Sequence, residues 1–369
     1  MFNFGKAYKY LDMVNHGFWD IKKILTFNRP AMVVTGSRSI GKSTQVALLC
    51  LIAYQLFGKK FMYIRRRPID VQKTYKTFFN NAVEIYNRYL PLPKIVAFKA
   101  HKGNYWIAYS LDDDESPVFE ECGCYVALSQ EENYKSNSFS EYVTMIYDEF
   151  ISKDPNKYLG TKENTDAEWD ALMSLYQTVD RGIDTPFRNE TVIFLLGNKS
   201  TVYNPVALSL GLVDYVNKGA RYTNPKGKLW VWEDVDHVEA TNNFEESYAY
   251  QLSTEHTKKY AYENEGKDTT DFIKRPDIAK YYITVRLKGN DYGIYYDTQD
   301  NYYIDKAKDC YATISLDVVS HNHSDVGLIK RWTNDATLMK LSKAYMDGRL
   351  FFGSGKIQAL FLRYLEFTQ

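Results

Sequence analysis

The stretch PAMVVTGSRSIGKSTQVALLCLIAYQLF, residues 30–57, constrains this chain more than any other. It opens with a short β-branched run that ends in glycine, which predicts a buried strand. Residues 42–57 then have the length and apolar content of a helix. Between them, residues 36–43 spell Gly-Ser-Arg-Ser-Ile-Gly-Lys-Ser, a full match to the pattern G-x-x-x-x-G-K-[ST]. Strand, glycine loop and helix in this order build a phosphate cradle. The glycines let backbone N–H groups approach phosphate oxygens, and the helix directs its positive end at the anion. Gly36, Arg38, Gly41, Lys42, Ser43 and Thr44 are therefore the expected nucleotide-binding residues. Lys42 is expected to reach the β- and γ-phosphates and the Ser43 hydroxyl to ligate Mg2+, so the expected cofactors are ATP and Mg2+.

Three further apolar runs predict buried strands: KKFMYIRRR (59–67), YVTMIYDEF (142–150) and ETVIFLLGN (190–198). Longer segments separate them, and those at 71–90 and 168–181 read as helices. This pattern predicts an α/β fold with a mostly parallel sheet covered on both faces. Residues 94–130 hold short alternating runs around an acidic turn and predict a hairpin or sheet extension.

Two of these strands end in chemistry. Asp148 at the end of YVTMIY is placed to hold Mg2+, and Glu149 beside it to polarise water as a general base. A second acid there points to hydrolysis rather than transfer to a substrate. Asn198 ends the next strand, either as a sensor of the γ-phosphate or as a turn asparagine. Arg181 and Arg188 lie between these two strands, as solvated surface residues or as an arginine supplied to a neighbouring subunit. Arg65, Arg66 and Arg67 belong to the clearest basic cluster in the chain. They are candidate contacts to DNA or nucleotide phosphates, or a solvated strand end. With 46 Lys and Arg against 46 Asp and Glu, the chain has no overall basic coat, so any DNA contact must be local.

At 369 residues the chain is long enough for more than one domain. Residues 1–205 read as the nucleotide-binding domain. The polar stretch 206–278, with TNPKGK and YENEGKDTTD, reads as a lid and linker. Residues 279–369 read as a small α+β domain of three turn-linked strands followed by helices. The aromatic excess, 32 Tyr and 20 Phe, suits packed cores or surfaces that stack. The four cysteines, Cys50, Cys122, Cys124 and Cys310, do not form a disulfide framework, and no second cluster completes a metal site around Cys122 and Cys124. No signal peptide is expected, and the longest apolar run, 46–57, is too short to span a bilayer.

The set GSRSIGKS, YIRR, IYDEF, TVDR and LLGN followed by NP resembles the DNA-packaging ATPases of small tailed phages with protein-primed genomes. The Tyr-rich β region and LMKLSKAYMDGRLFF extend the resemblance over nearly the whole chain. It implies an ASCE-type P-loop ATPase domain and a C-terminal domain like a degenerate RNase H-type nuclease. It implies a homo-oligomeric ring, commonly five-fold, in the host cytoplasm at the portal vertex of an empty capsid. Hydrolysis there drives double-stranded DNA inward, and in several members a structural RNA joins ring and capsid. By motif match, Arg181 looks like the trans-acting arginine finger, Lys135 in YKSNS like a lysine acting between subunits, and Arg65 and Arg66 like the paired arginines after the second strand. Two departures stand out. Ser39 occupies a loop position where close relatives place glycine, and the long TVDRGIDTPFRNE segment keeps Arg188 as a competitor for the finger.

Two-metal nucleases need several converging carboxylates. The strand YYITVRLKGN has none, and Asp297, Asp300 and Asp305 sit around turns, so cleavage is not expected. Arg286, Lys288, Lys306 and Lys308 permit nucleic-acid contact instead. The rival readings are a P-loop switch or assembly ATPase that moves no DNA, and a terminase with an active nuclease.

Overall fold

The computed structural model describes residues 2–110, 117–135, 137–152, 157–160, 167–181, 189–198, 204–215, 220–235, 238–239, 247–254, 258, 275–287, 290–306, 314–315, 336–355, 357–358 and 360–361. The chain divides into two compact units. One comprises 1–159, 166–210 and 218–267, and the other 160–165, 211–217 and 268–369.

The first unit begins with α1 (Tyr8–Val14) and α2 (Ile21–Leu25), then β1 (Ala31–Gly36), α3 (Lys42–Phe57) and β2 (Lys60–Arg65). There follow α4 (Pro68–Thr74), α5 (Asn80–Tyr89), β3 (Ile95–His101), β4 (Asn104–Tyr109) and β5 (Glu120–Ala127). Next come β6 (Tyr142–Asp148), α6 (Ala167–Asp180), β7 (Val192–Gly197), α7 (Pro205–Leu210), β8 (Tyr222–Thr223), β9 (Trp230–Val235) and α8 (Tyr248–Gln251). The nine strands form one sheet in the order β3-β4-β5-β2-β6-β7-β1-β9-β8. From β5 to β9 every neighbouring pair is parallel, with antiparallel strands at both edges.

The strand order places the site. β7 lies between β1 and β6, and the register sets Asp148 opposite Leu196 and Leu196 opposite Val34. The acid at the end of β6 is thus level with the end of β1, where the phosphate loop begins. Residues 45–53 of α3 are all buried, as expected of a helix that is apolar on every side. α1, α2 and α5 pack against it.

Two expectations need correction. The helix expected over 71–90 is broken into α4 and α5, because aromatic packing outweighs local propensity there. Phe79 is drawn inward against Phe61, Phe98 and Tyr105, with ring centroids 4.7, 5.1 and 5.0 Å apart. The second correction is larger. The stretch read as lid and linker supplies β8 and β9, and β9 lies parallel against the phosphate-loop strand. The run WVW within KLWVWEDV is a buried strand signal surrounded by polar sequence. The two strands run so close that a Cβ on Gly36 would lie 2.6 Å from the Val235 carbonyl oxygen.

β9 also ties down the N-terminal segment. Glu233 is fully buried and accepts hydrogen bonds from Trp19 Nε1 at 2.8 Å and Arg221 Nε at 3.0 Å. Burial pushes its carboxyl above the usual range, although Trp19, Tyr222 and Arg221 all hydrogen-bond to it. The Trp19 backbone N–H in turn donates to Ile40 O in the phosphate loop, at 2.9 Å.

In the second unit, β10 (Lys280–Leu287), β11 (Asn290–Tyr296) and β12 (Tyr302–Lys306) form the expected meander. β13 (Ile314–Ser315) adds parallel to β10, and β14 (Leu350–Phe352) parallel to β12. The helix Ala336–Met346 buries Leu341 among Val285, Leu287, Ile294 and Ile304. Most of the final helix expected over 356–367 lies outside the described residues. Cys50, Cys122 and Cys124 are free and buried, while Cys310 lies outside the described residues. Among the described residues no helix is long and apolar enough to cross a membrane.

Replacing Glu233 by alanine strands the buried indole N–H of Trp19. The expected cost in a urea unfolding titration is about 2 kcal/mol. In a Trp19→Phe background, where no indole is stranded, the same change should cost less than half as much.

Candidate nucleotide-binding site

The phosphate loop occupies residues 37–41 between β1 and α3. Gly41, with φ 89°, caps α3 and frees the first N–H groups of that helix. Ser39 also lies in the left-handed region, with φ 62°. That conformation costs an L-residue about 1–2 kcal/mol, which gives a physical reason for glycine to be favoured at this position. Lys42 folds back into the loop. Its Nζ donates to Gly36 O at 3.0 Å, Ser37 O at 2.6 Å and Asn198 Oδ1 at 3.4 Å. Burial pushes the Lys42 ammonium down to about 8, against the pull of Asp148 and Asp234.

The acid pair faces this loop. Ser43 Oγ donates to Asp148 Oδ1 at 3.3 Å, and Tyr63 Oη to Asp148 Oδ2 at 3.3 Å. Burial raises the Asp148 carboxyl, and Arg65 pulls it part of the way back. Ser43 and Asp148 are the hard oxygen donors that suit Mg2+, so these side chains fit the ion expected here. Glu149 has φ 56°, an uncommon conformation for a non-glycine residue. Its side chain is 59% exposed, against 13% for Asp148. One guanidinium spans both acids: Arg65 Nη1 donates to Asp148 Oδ2 at 2.9 Å and Nη2 to Glu149 Oε2 at 2.5 Å. A cleft of ≈ 840 Å³ connects the loop with Asp148, Glu149 and Asn198.

The arginine cluster needs correction. Arg65 and Arg66 are buried, so they are not an exposed strip for nucleic acid. Arg66 Nε and Nη2 donate to Glu168 at 2.8 and 3.0 Å, and Nη2 donates to Phe150 O at 2.8 Å. Glu168, 0% exposed, also accepts from Tyr147 Oη at 2.6 Å and Leu159 N at 2.9 Å. This network fixes the turn that carries Glu149. Arg67 alone of the three is exposed.

Within one chain the cleft lining includes neither Lys135 nor Arg181. Lys135 is exposed after a short 3-10 turn and pairs with Glu131 at 3.6 Å and Glu132 at 3.4 Å. Arg181 is exposed immediately after α6, and Arg188 lies outside the described residues. Asp180, which sequence reasoning passed over, accepts N–H groups from Asn189, Glu190 and Thr191 at 3.0, 3.1 and 3.0 Å. Asp180 thus joins the end of α6 to the start of β7, beside Arg181. Asp234 was missed with β9; its Oδ1 accepts from Thr35 Oγ1 at 2.8 Å, and Trp232 Nε1 donates to that hydroxyl at 2.8 Å. The signal available was an apolar run ending in acids, the same pattern that marked β6.

Fold and site together define a P-loop ATPase with an added strand between the phosphate-loop strand and the acid-bearing strand. The sequence profile of the podovirus DNA encapsidation protein (Gp16) family matches residues 13–366, and the chain belongs to that family. It is 26% identical over 358 residues to the DNA packaging protein of Bacillus phage phi29, covering 92% of this chain and 95% of that one. The DNA packaging protein of Bacillus phage B103 is 26% identical over 340 residues, covering 89% and 94%. Among solved structures, a chain of the bacteriophage phi29 viral genome packaging motor assembly superposes with TM-score 0.64 at 23% identity, covering 94% of this chain and 99% of that one. The Phi-28 gp11 DNA packaging motor gives TM-score 0.63 at 18% identity, covering 95% and 99%.

The lowered Lys42 sets a pH dependence. Below about pH 8 the ammonium is charged in the ligand-free protein. Above it, triphosphate binding must first restore a proton. The affinity for Mg·ATP should therefore stay level with respect to this group up to about pH 8, then fall by up to about tenfold per pH unit. Nucleotide titrations across that range check the slope, and the weaker binding of Lys42→Arg should lack it.

Proposed function

We propose that this chain is the ATP-hydrolysing subunit of a ring that drives double-stranded DNA into a preformed capsid. One observation carries the reading: the strand-end pair Asp148–Glu149 shares a cleft with Lys42 and Ser43, in a member of a DNA encapsidation family. The match to a chain of a genome packaging motor assembly supports it in fold.

In this reading each residue of the cleft has a role. The loop N–H groups and Lys42 hold the β- and γ-phosphates. Ser43 and Asp148 would hold Mg2+, which when bound neutralises charge on those phosphoryl oxygens. Glu149 takes a proton from water as the water oxygen bonds to the γ-phosphorus, and the bond from that phosphorus to the bridging oxygen breaks to leave ADP. Asn198, bonded to Lys42 Nζ, is placed to register the loss of the γ-phosphate. Arg65 holds one carboxylate oxygen, Oε2, of Glu149 and leaves the other open to water. Arg38 and Thr44 line the same cleft and complete the phosphate contacts.

The neighbouring subunit completes the site with Arg181, and Lys135 acts across the same junction. The remaining partners in this reading are a homomeric, five-fold ring, the capsid portal, a structural RNA and the host cytoplasm as setting. The C-terminal unit serves as a nuclease-like domain without cleavage. Asp297 supports this. Although burial opposes it, hydrogen bonds from Asn301, Gln299 and Tyr303 hold its carboxyl down at about 2, and they commit it to a turn.

Glu149→Gln should bind ATP as the wild type does and lose about 10²–10⁴-fold in turnover, the usual span for a general base. Turnover near the wild-type rate would remove Glu149 from the mechanism. Arg181→Ala, mixed with wild type in capsid- and DNA-stimulated ATPase assays, should depress the rate below the straight mixing line. A linear response means that Arg181 does not act in trans.

A further inference from the structure

A second chamber adjoins the phosphate cleft at Glu149. It has a volume of ≈ 730 Å³ and shares Arg38, Glu149 and Asn198 with that cleft. Glu149 and Asn198 mark the γ-phosphate end. Among the described residues, none of 39–44 lines the chamber. It opens instead beside Arg65, Arg66, Asp70 and Lys157, away from the loop.

The lining is cationic. Arg38, Arg65, Arg66 and Lys157 stand against two carboxylates, Asp70 and Glu149. Arg65 and Arg66 are committed to Asp148, Glu149 and Glu168. Lys157 is exposed and makes no ion pair among the described residues. Its neighbour sets its place. The Tyr158 ring centre lies 4.8 Å from the Arg66 guanidinium carbon, and the Tyr158 hydroxyl accepts the Ser152 N–H at 2.8 Å. These contacts hold Lys157 at the wall of the chamber.

We infer that this chamber receives the orthophosphate released from the γ position, and that Lys157 draws it away while ADP is still bound. The inference rests on the hydrolysis reading above. Hydrolysis leaves orthophosphate beside Glu149 and Asn198, with ADP blocking the way back along the loop. The chamber is the other way out, and its cationic walls favour an anion. One water takes up about 30 Å³ of liquid, so the chamber admits the ion with hydration water around it. Glu149 stands at the boundary. Once it has taken the proton from water it is neutral and no longer repels the product. Lys157 then offers an ammonium with no carboxylate partner, able to donate charge-assisted hydrogen bonds to phosphate oxygens.

The test measures uptake of radiolabelled inorganic phosphate by the full chain in equilibrium dialysis, with Mg·ADP saturating. The wild type should take up phosphate alongside ADP. Lys157→Gln should weaken that uptake by about tenfold, as loss of one charged hydrogen bond does, and leave the affinity for ADP unchanged. Asp70→Asn removes a repelling charge and should strengthen uptake by up to about fivefold. Weakening by the first variant without weakening by the second is what a charged chamber produces and a fold defect does not. An ADP complex that takes up no phosphate would overturn the inference. So would uptake that Lys157→Gln leaves unchanged, which means that phosphate stays at the γ position. Weakening by both variants means that they act through the fold, and overturns it too. A Lys157→Gln chain that loses duplex DNA rather than phosphate assigns the ammonium to nucleic acid, with the same result. A wild type that binds no ADP would defeat the nucleotide reading itself, and the inference with it.

Discussion

The interaction on which this site depends is one guanidinium held between two adjacent carboxylates. Asp148 and Glu149 are neighbours at the end of a buried strand, where like charges repel and burial disfavours ionisation. Arg65 satisfies both, with bonds of 2.9 and 2.5 Å. It can do so because β2 is the direct parallel neighbour of β6, so the two strands end side by side. Sheet order therefore decides the electrostatics: β2 brings the cation, β6 the acids, and β1, one strand beyond β7, the phosphate loop. An acid pair built this way is held in place by one guanidinium before any ligand arrives.

Behind that pair stands a frame with little freedom. Arg66, the next residue, turns to the other side and binds fully buried Glu168 and the carbonyl of Phe150. Burying an ion pair gains little unless the remaining hydrogen-bonding positions are filled. Here Tyr147 and Leu159 fill those of Glu168. The result is a rigid turn that keeps Glu149 in a left-handed conformation an unsupported glutamate would leave. Two consecutive arginines thus do different work. Arg65 spans the two acids, and Arg66 is part of the wall behind them.

The parts that were legible in sequence are those whose physics is local. A β-branched run, a glycine loop and an apolar helix announce a phosphate cradle within 28 residues, and an acid pair after YVTMIY announces its counterpart. What was not legible depends on partners far along the chain. The charges of Arg65 and Arg66 looked like a basic strip because nothing nearby shows that their partners lie 83 and 102 residues on. β9 was hidden by polar flanks, and its bond from Trp19 to Glu233 spans 214 residues. Ser39 stood out in sequence as a departure, and its φ of 62° supplies the reason: the loop demands a left-handed residue there whatever side chain is present.

The same reasoning bears on how two copies would meet. In one chain the cleft holds the lysine, the hydroxyl, both acids and Asn198, while Arg181 and Lys135 stand outside it. An arginine that acts between subunits must be presented accurately, since misplacement by about 1 Å can cost a hundredfold in rate. Asp180 gathers three backbone N–H groups from Asn189, Glu190 and Thr191 immediately beside Arg181. The arginine is thereby rooted on α6, whose side chain Glu168 already braces the turn of Glu149. One helix then carries the support for the turn of Glu149 and, at its end, the exposed Arg181. A shift of α6 would move both the brace of the Glu149 turn and Arg181.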